Sequence, residues 1–454
     1  MGLCTLKTDQ MNDKRVTFVS KIGIVAAAAG SAVGLGNIWR FPSQTADGGG
    51  ALFILVYLGC ILFFGIPLMV SEFMIGRAAR ANTAGAFHRL APGTPWKWVG
   101  RLGVLTGFVI LGFYMVVCGW TLDYFFQSLS GSLHRVTNFS DNFNNLLYNP
   151  LRQVGWMVLF TLLTAFFILS GVKKGIEQSS KIMMPLLFLL LIILAVRSVL
   201  LDGSAQGLNF LFKPDLAQVK PTLFLDAMGQ AFFSLSIGMG CMITYGSYFN
   251  NNTHFLKTAV HVSLLDSLVA ILAGVIIFPS AFALTANPGT VVDELVAGGP
   301  GLLFITLPGL FDQMPASMVW ATLFFCLLSL AALTSTISLM EVVTVYIHEE
   351  YRISRRKSTL LVTVAVILLG TLSSISSPFF QLLDIASAKF MLPLGGLFIS
   401  LFVGWYLDKS MVYAQLTNEG TLKFSTGFLK TYIFLLRYVA PVAMLAIFIY
   451  GLAG

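Results

Sequence analysis

The sequence predicts an all-α integral membrane protein with eleven transmembrane helices, ten of them forming two inverted halves of five. Three observations lead to this class. Of the 454 residues, 56% are hydrophobic and only 11% are charged, whereas a soluble domain carries about 25% charged residues. Apolar runs of about 20 residues recur along the chain, each long enough to cross a bilayer as a helix. Two of these runs are interrupted by closely spaced glycines, which is typical of transporter binding sites.

We number the apolar runs as spans 1 to 11 in chain order. They cover approximately residues 19–41, 50–76, 99–128, 152–171, 178–200, 223–248, 256–285, 316–347, 358–375, 379–407 and 430–452. Span 1 continues into a glycine-rich motif instead of a small-residue cleavage site, so we expect a retained helix and not a signal peptide.

Basic residues flank alternate ends of the spans and predict a cytoplasmic N-terminus, because Lys and Arg concentrate in cytoplasmic loops. We interpret the net charge of +8 as a signal of this orientation, and it gives no reason to expect a nucleic-acid partner. The sequence identifies no protein partner. The residues that carry the signal are Lys14, Arg15, Lys21, Arg77, Arg80, Lys173, Lys174, Arg352, Arg355, Arg356 and Lys357.

Residues 30–42, with the sequence GSAVGLGNIWRFP, interrupt span 1 with three glycines. Glycine costs about 1 kcal/mol relative to alanine in a helix, so we expect the backbone to open here. Open backbone at membrane depth must face protein or a water-filled cavity. Close helix packing against Gly30 and Gly34 is the alternative, but it does not explain Asn37 or Arg40. A ligand site is therefore the preferred interpretation.

Span 6 repeats this feature in residues 230–240, where Gly238 and Gly240 interrupt an apolar helix. The two breaks are five spans apart, and an odd number means that the second half enters the membrane from the opposite face. The predicted divisions are an N-terminal cytoplasmic segment 1–18, a first repeat 19–200, an external connection 201–222, a second repeat 223–408, and a connection with span 11 at 409–454.

Two further spans carry unusual residues. In span 8, Ala331, Thr334, Ser335 and Ser338 have the spacing of one helical face. Alone, this face is explained by interhelical hydrogen bonding, but beside two broken helices it favours an ion site. In span 5, Pro185 removes one helical hydrogen bond. This proline therefore predicts either a passive kink or a segment that unwinds to admit water.

The sequence offers no enzyme-like constellation. The five cysteines and five histidines are scattered, without a CxxC or HExxH motif. We therefore expect no enzyme activity.

The motif at residues 30–42 closely resembles the first helix of the neurotransmitter:sodium symporters. The similarity continues through Pro67-Leu68-Met69, Glu72, Tyr114, residues 230–248 and Leu333-Thr334-Ser335, and covers nearly the whole chain. The bacterial amino-acid branch of the family is the most similar. The resemblance implies the LeuT-like fold with broken helices 1 and 6, and location in a bacterial inner membrane.

The resemblance also implies symport of a neutral hydrophobic L-amino acid with two co-transported sodium ions and no organic cofactor. An amino-acid sensor that binds without transport is the alternative. The first sodium site would use Ala32, Asn37, Ser234 and Asp266. The second would use the carbonyls of Gly30, Val33 and Ala331 and the hydroxyls of Thr334 and Ser335.

The implied substrate site and gates follow from the same matched positions. The substrate site would consist of Ala32, Gly34, Leu35, Gly36, Ile110, Tyr114, Phe233, Ser234, Ser236, Met239, Ser335 and Leu339. Arg40 and Asp384 would form the outer gate, and Arg15 and Glu349 the inner gate. Glu72 is expected to hydrogen-bond the open backbone of span 6, because an unpaired carboxylate in lipid is costly.

Some positions depart from the family pattern. Glu349 replaces the more usual Asp of the inner gate, and Phe18 replaces a Trp. Asp266 stands where many relatives have Asn, and Ala270 stands where chloride-dependent relatives have a Ser. A fixed negative charge at Asp266 would offset sodium, so the resemblance predicts chloride-independent transport. Glu341 is interpreted either as a proton carrier or as a hydrogen-bonded carboxylate on a helix face.

Overall fold

The computed structural model describes residues 16–215, 220–285, 290–297 and 301–453, and within these ranges the regular structure is helical, without a β-strand. The helices are α1 Lys21–Ala32, α2 Gly36–Asp47, α3 Ala51–Ala79, α4 Thr83–Leu90, α5 Lys97–Leu129, α6 Phe139–Leu147, α7 Pro150–Leu169, α8 Val172–Val199, α9 Ser204–Phe212, α10 Leu223–Ser234, α11 Cys241–Gly246, α12 Phe255–Leu284, α13 Val291–Ala297, α14 Leu302–Asp312, α15 Ser317–Glu350, α16 Arg355–Ile375, α17 Ser377–Tyr406, α18 Lys409–Leu416 and α19 Thr426–Gly451.

Nine of the helices in the described ranges are long and apolar enough to cross a membrane, and α1 with α2 makes a tenth span bent by 54°. The predicted span 6 is divided into α10 and α11, each too short to cross alone. Every predicted span thus coincides with one helix or one broken pair. The architecture is consistent with the eleven spans expected from the sequence.

Several span boundaries differ from the prediction. Span 1 continues to Asp47 instead of residue 41, and α8 begins at Val172 instead of residue 178. The first turns of α8 form a π-helical segment, Val172–Gln178, that includes the exposed Lys173 and Lys174. An apolar run cannot reveal a helical turn that carries charged side chains, which explains the late predicted start. Pro185 lies inside this continuous helix.

The first helix break separates α1 from α2. The chain leaves the α-conformation at Val33, which is extended with φ −69° and ψ 113°. A residue far away in the sequence stabilises the start of α1. The carboxylate of Glu177 in α8 accepts hydrogen bonds from the amides of Val19 at 2.8 Å and Ser20 at 3.1 Å. These bonds satisfy backbone donors that a helix start leaves open.

The second break lies between α10 and α11. Ser236, Gly238 and Gly240 have positive φ values of 55°, 86° and 79°. Glycine adopts such angles readily because it lacks a Cβ atom, whereas a serine there is strained. The amide of Gly238 donates to Glu72 Oε1 at 2.7 Å, which confirms the role predicted for Glu72.

Both breaks lie in the interior of the helix bundle. The α1 helix packs against α12, α15 and α8, and its small residues Ala27, Ala28 and Ala29 are buried. Small side chains allow helix backbones to approach closely in a membrane protein. The packing brings the ends of α1 and α10 together with the middle of α5 and α15 around a common centre.

Candidate functional site

A cavity lies where the two breaks meet α5 and α15. Its volume is about 30 Å³, which is space for about two waters. Every predicted substrate residue except Leu35 lines it, and Ser31 is an additional wall residue. The lining residues are Ser31, Ala32, Gly34, Gly36, Ile110, Tyr114, Phe233, Ser234, Ser236, Met239, Ser335 and Leu339.

One side of the cavity is built from backbone amides of the first break. The amide of Gly34 donates to Asn37 Oδ1 at 3.0 Å, and the amide of Leu35 donates to the Tyr114 hydroxyl at 3.0 Å. Leu35 is therefore connected to the cavity only through its amide, which bonds the lining residue Tyr114, while its side chain is buried in the core. The start of a helix presents such N–H groups to an anion.

The predicted first sodium site is a buried cluster of polar side chains that connects the two breaks. Asn37 Nδ2 donates to Asp266 Oδ1 at 2.7 Å and to Ser234 Oγ at 3.0 Å. Ser234 Oγ donates to Asp266 Oδ2 at 2.7 Å. Ala32, the fourth predicted ligand, lines the adjacent cavity. Hydroxyl, carboxylate and carbonyl oxygens are the donors that a hard cation such as sodium prefers.

The predicted second sodium site lies between the end of α1 and α15. Ser335 Oγ donates to the Val33 carbonyl at 3.0 Å, and Thr334 Oγ1 donates to the Ala331 carbonyl at 3.0 Å. A Cβ atom on Gly30 would lie 3.2 Å from Thr334 Cβ, so this glycine is also part of the contact. The structure therefore brings all five predicted oxygen-bearing residues together.

The predicted outer gate is only partly assembled. The Arg40 guanidinium lies 4.8 Å from the centre of the Phe233 ring, a distance that allows a cation–π interaction. Asp384 and Asp226 both act on Arg40 electrostatically. Within the described residues, no direct ion pair joins Arg40 to Asp384. Asp226 was not expected from the sequence, because it lies outside the matched motifs.

The predicted inner gate cannot be followed in full, since Arg15, like Lys14, lies outside the described residues. Glu349 Oε2 accepts hydrogen bonds from the amide and side chain of Asn82 at 2.7 and 3.1 Å. Phe18 is buried and packs edge-on against Tyr245 and Tyr248, with ring centres 5.8 and 5.7 Å apart. The Arg15–Glu349 pair stays a prediction.

Glu341 is a paired carboxylate. It is buried, accepts a hydrogen bond from Arg355 Nη1 at 3.0 Å, and accepts another from the Tyr248 hydroxyl at 2.7 Å. This arrangement supports the interpretation of a satisfied carboxylate on a helix face. A proton carrier would first have to lose a close cationic partner.

Tyr57 and Glu177 are site residues that sequence reasoning missed. The hydroxyl of Tyr57 donates to Asp266 Oδ2 at 3.2 Å, and Glu177 holds the start of α1. The sequence signal for both residues was a polar group beside or within an apolar run. That signal does not show that Tyr57 contacts Asp266, which lies 209 residues further along the chain.

The comparisons with known proteins agree with this geometry. Residues 15–146 and 147–454 match the model of the sodium:neurotransmitter symporter family. An uncharacterized sodium-dependent transporter of Bacillus subtilis, YhdH, is 34% identical over 96% of this chain and 97% of its own length. A second uncharacterized sodium-dependent transporter, from Haemophilus influenzae, is 33% identical over 97% of this chain and 99% of its own.

Among solved structures, the crystal structure of MhsT in complex with L-phenylalanine is similar, with 42% sequence identity and a TM-score of 0.87 over 96% of this chain and 100% of that chain. This likeness confirms the fold class. The family match and the sodium-dependent relatives confirm that the chain belongs among transporters and not among enzymes. The chain belongs to the sodium:neurotransmitter symporter family.

Proposed function

We propose that this protein couples inward sodium flow to the uptake of neutral, hydrophobic L-amino acids by alternating access. The observation that carries the proposal is a cavity with a polar side of open backbone and an apolar side of Ile110, Phe233, Met239 and Leu339. A hydrophobic amino acid has the same two-sided chemistry. The similar MhsT structure contains L-phenylalanine, which supports this substrate class.

The polar side suits the two charged groups of the substrate. The α-carboxylate would replace the present partners of the Gly34 and Leu35 amides and accept a hydrogen bond from Tyr114, at a helix start that favours anions. The α-ammonium would contact the carbonyls of Ala32 and Phe233, because an ammonium group can only donate hydrogen bonds.

Side chains must move to admit a substrate, because the present space holds about two waters. Met239 is unbranched, and such a side chain repacks around ligands of different shapes. We therefore propose one site shared by aliphatic and aromatic amino acids.

Two sodium ions would occupy the two oxygen clusters and travel with the substrate. In the first cluster, the Asn37 amide would turn so that its oxygen, instead of its nitrogen, faces the ion. In the second, the Ser335 and Thr334 hydroxyls would turn their protons away from the Val33 and Ala331 carbonyls. Oxygens now held by hydrogen bonds would then point at the cation.

Chloride independence is part of the proposal. Two cations in a low-dielectric site need a compensating negative charge. Asp266 supplies one at the first cluster, where Asn37, Ser234 and Tyr57 converge on its two oxygens. Ala270, four residues further along α12, offers no hydroxyl to hold an anion.

A binding panel tests the proposal. Purified protein is incubated with labelled leucine, phenylalanine, tryptophan, glutamate and lysine, in sodium and in potassium buffers. We expect the neutral hydrophobic amino acids to compete for one site in sodium only. Binding of charged amino acids, or equal binding in both buffers, would contradict the proposal.

A further inference from the structure

A second and much larger cavity lies outside the substrate site. It is a groove of about 720 Å³ between the start of α1, the first half of α8 and the start of α12. We call it the basic groove. It opens to the outside of the helix bundle, since Ile22 on its wall is 76% exposed. Neither sodium cluster nor the substrate cavity shares a residue with it.

Cationic groups from all three helices converge at the mouth of the basic groove. Lys21 belongs to α1, Lys181 to α8, and His254, Lys257 and His261 to the start of α12. Lys181 is paired with Glu177 at 2.8 Å. Lys21 and Lys257 are exposed, which leaves their ammonium groups accessible from outside the bundle.

Two further observations concern the same place. Burial, and after it the charges of Lys257 and Lys21, lower the pKa of His254 below its ordinary value, so the charges of both lysines reach this residue. The helix α12 starts at Phe255, and its N-cap residue His254 makes no side-chain capping hydrogen bond. An uncapped helix start carries partial positive charge from its open N–H groups. An anion at this position would be stabilised by both effects.

The interior of the groove is apolar. Its walls include Val25 of α1, Met184, Pro185 and Phe188 of α8, and Leu265 of α12. A free inorganic anion would gain nothing from this surface, whereas a hydrocarbon chain would bury apolar area against it. The groove therefore combines an anion-binding mouth with a channel for an acyl chain.

We propose that the basic groove binds one anionic phospholipid. Its phosphate lies between Lys21, Lys257 and the start of α12, and one acyl chain follows Pro185 and Phe188. Basic pockets between transmembrane helices commonly bind lipid headgroups. The lipid would touch α1 and α8, the two helices that Glu177 joins. The proposal does not depend on the substrate assigned above.

Native mass spectrometry of the full-length protein tests the proposal. The protein is solubilised with equal amounts of dioleoyl-phosphatidylglycerol and dioleoyl-phosphatidylcholine, and retained lipid is counted. We expect preferential retention of phosphatidylglycerol. Equal retention of the two lipids, or a preference for phosphatidylcholine, would overturn the proposal. This comparison uses the unmodified protein and is independent of any effect of mutation on folding.

A double variant locates the site. Lysines at the membrane surface attract anionic headgroups, so Lys21→Ala with Lys257→Ala should weaken phosphatidylglycerol retention roughly tenfold or more. The matched control, Lys173→Ala with Lys174→Ala, removes the same charge from exposed positions outside the groove. It should retain the lipid. The same loss in both variants would show that net charge, and not the groove, holds the lipid, and would overturn the proposal.

Discussion

The two helix breaks border the same cavity but differ in how their backbones are held. In the first break, residues 33–35 all have negative φ, and the open amides are bound by Asn37 and Tyr114. In the second, residues 235–240 separate the helices, and three of them have positive φ. Glu72, from outside the break, holds the Gly238 amide.

The difference separates two ways of keeping backbone open in a membrane. In the first break, polar side chains bond the backbone amides that the helix leaves open. A substrate or an ion could replace these side chains as the bonding partner. The second depends on backbone angles that favour glycine. We therefore expect the first break to control ligand affinity and the second to control whether the bundle folds.

The largest effect is expected for Gly238→Ala in the second break. A Cβ atom would lie 2.7 Å from the Leu392 carbonyl oxygen, and φ is 86°. Strain of this kind costs about 1–3 kcal/mol, and the backbone contact cannot move aside easily. Both thermal stability in detergent and sodium-dependent phenylalanine binding should fall. Gly229→Ala is the control, since its Cβ would meet nothing within 4 Å. Equal thermal stability and equal phenylalanine binding in the two variants would contradict the role assigned to the backbone angle of Gly238.

A smaller and more selective effect is expected for Gly34→Ala in the first break. Its Cβ would lie 2.5 Å from Ser335 Oγ and 2.9 Å from the Tyr114 hydroxyl. Side chains can shift where backbone cannot, so the protein should fold while binding weakens roughly tenfold, in keeping with an overpacking cost of about 1–3 kcal/mol. The measurement is equilibrium binding beside a thermal melt, with Gly59→Ala as the control. A large drop in melting temperature without a change in affinity would show that the first break controls folding and not ligand affinity, which would contradict the comparison.

Asp266 connects the two breaks through Asn37 and Ser234, and its charge is the subject of the third prediction. Asp266→Asn should lower the apparent sodium affinity severalfold, because the cation loses a charged oxygen partner. Sodium titrations of phenylalanine binding provide the measurement. Asp202→Asn, at an exposed position, should leave the titration unchanged.

The wild-type protein provides a second test of this charge. Replacing chloride with gluconate at fixed sodium should leave binding unaffected. A clear drop in wild-type binding without chloride would contradict the proposed role of Asp266.

The smallest effect is expected for Ser236→Gly. The change relieves a φ of 55° but removes a hydrogen bond of 2.9 Å from Ser236 Oγ to the Ser31 carbonyl. Each contribution is about 1 kcal/mol, so the free energy of unfolding should change by less than about 1 kcal/mol. Ser236→Ala keeps the strain and loses the bond, and should be the less stable of the two. The opposite order would show that strain is not stored at this residue.

The sequence predicted the positions of both breaks because glycine clusters and Asn37 are local signals in otherwise apolar runs. It also predicted the Glu72 contact, since a carboxylate at membrane depth must have a partner. The residues of the cavity were found through resemblance to a family. Residue spacing alone identified the helical face of Ala331, Thr334 and Ser335, but it did not show that this face contacts the end of α1 at Val33.

Other features could not be predicted because they depend on long-range packing. Tyr57 and Asp266 meet only after α3 and α12 fold against each other, and Glu177 reaches α1 from α8. Whether Arg40 and Asp384 form an ion pair depends on the distance between α2 and α17, which no local sequence signal gives. A sequence specifies the partners of such a gate but not their distance in one conformation.

The most direct test of the account is uptake of labelled L-phenylalanine into proteoliposomes. With sodium outside, potassium inside and gluconate as the anion, we expect accumulation above the external concentration. Accumulation should disappear when a sodium ionophore collapses the gradient. Sodium-dependent binding without accumulation or counterflow would contradict the proposed transport and would identify the protein as an amino-acid sensor built on the same fold.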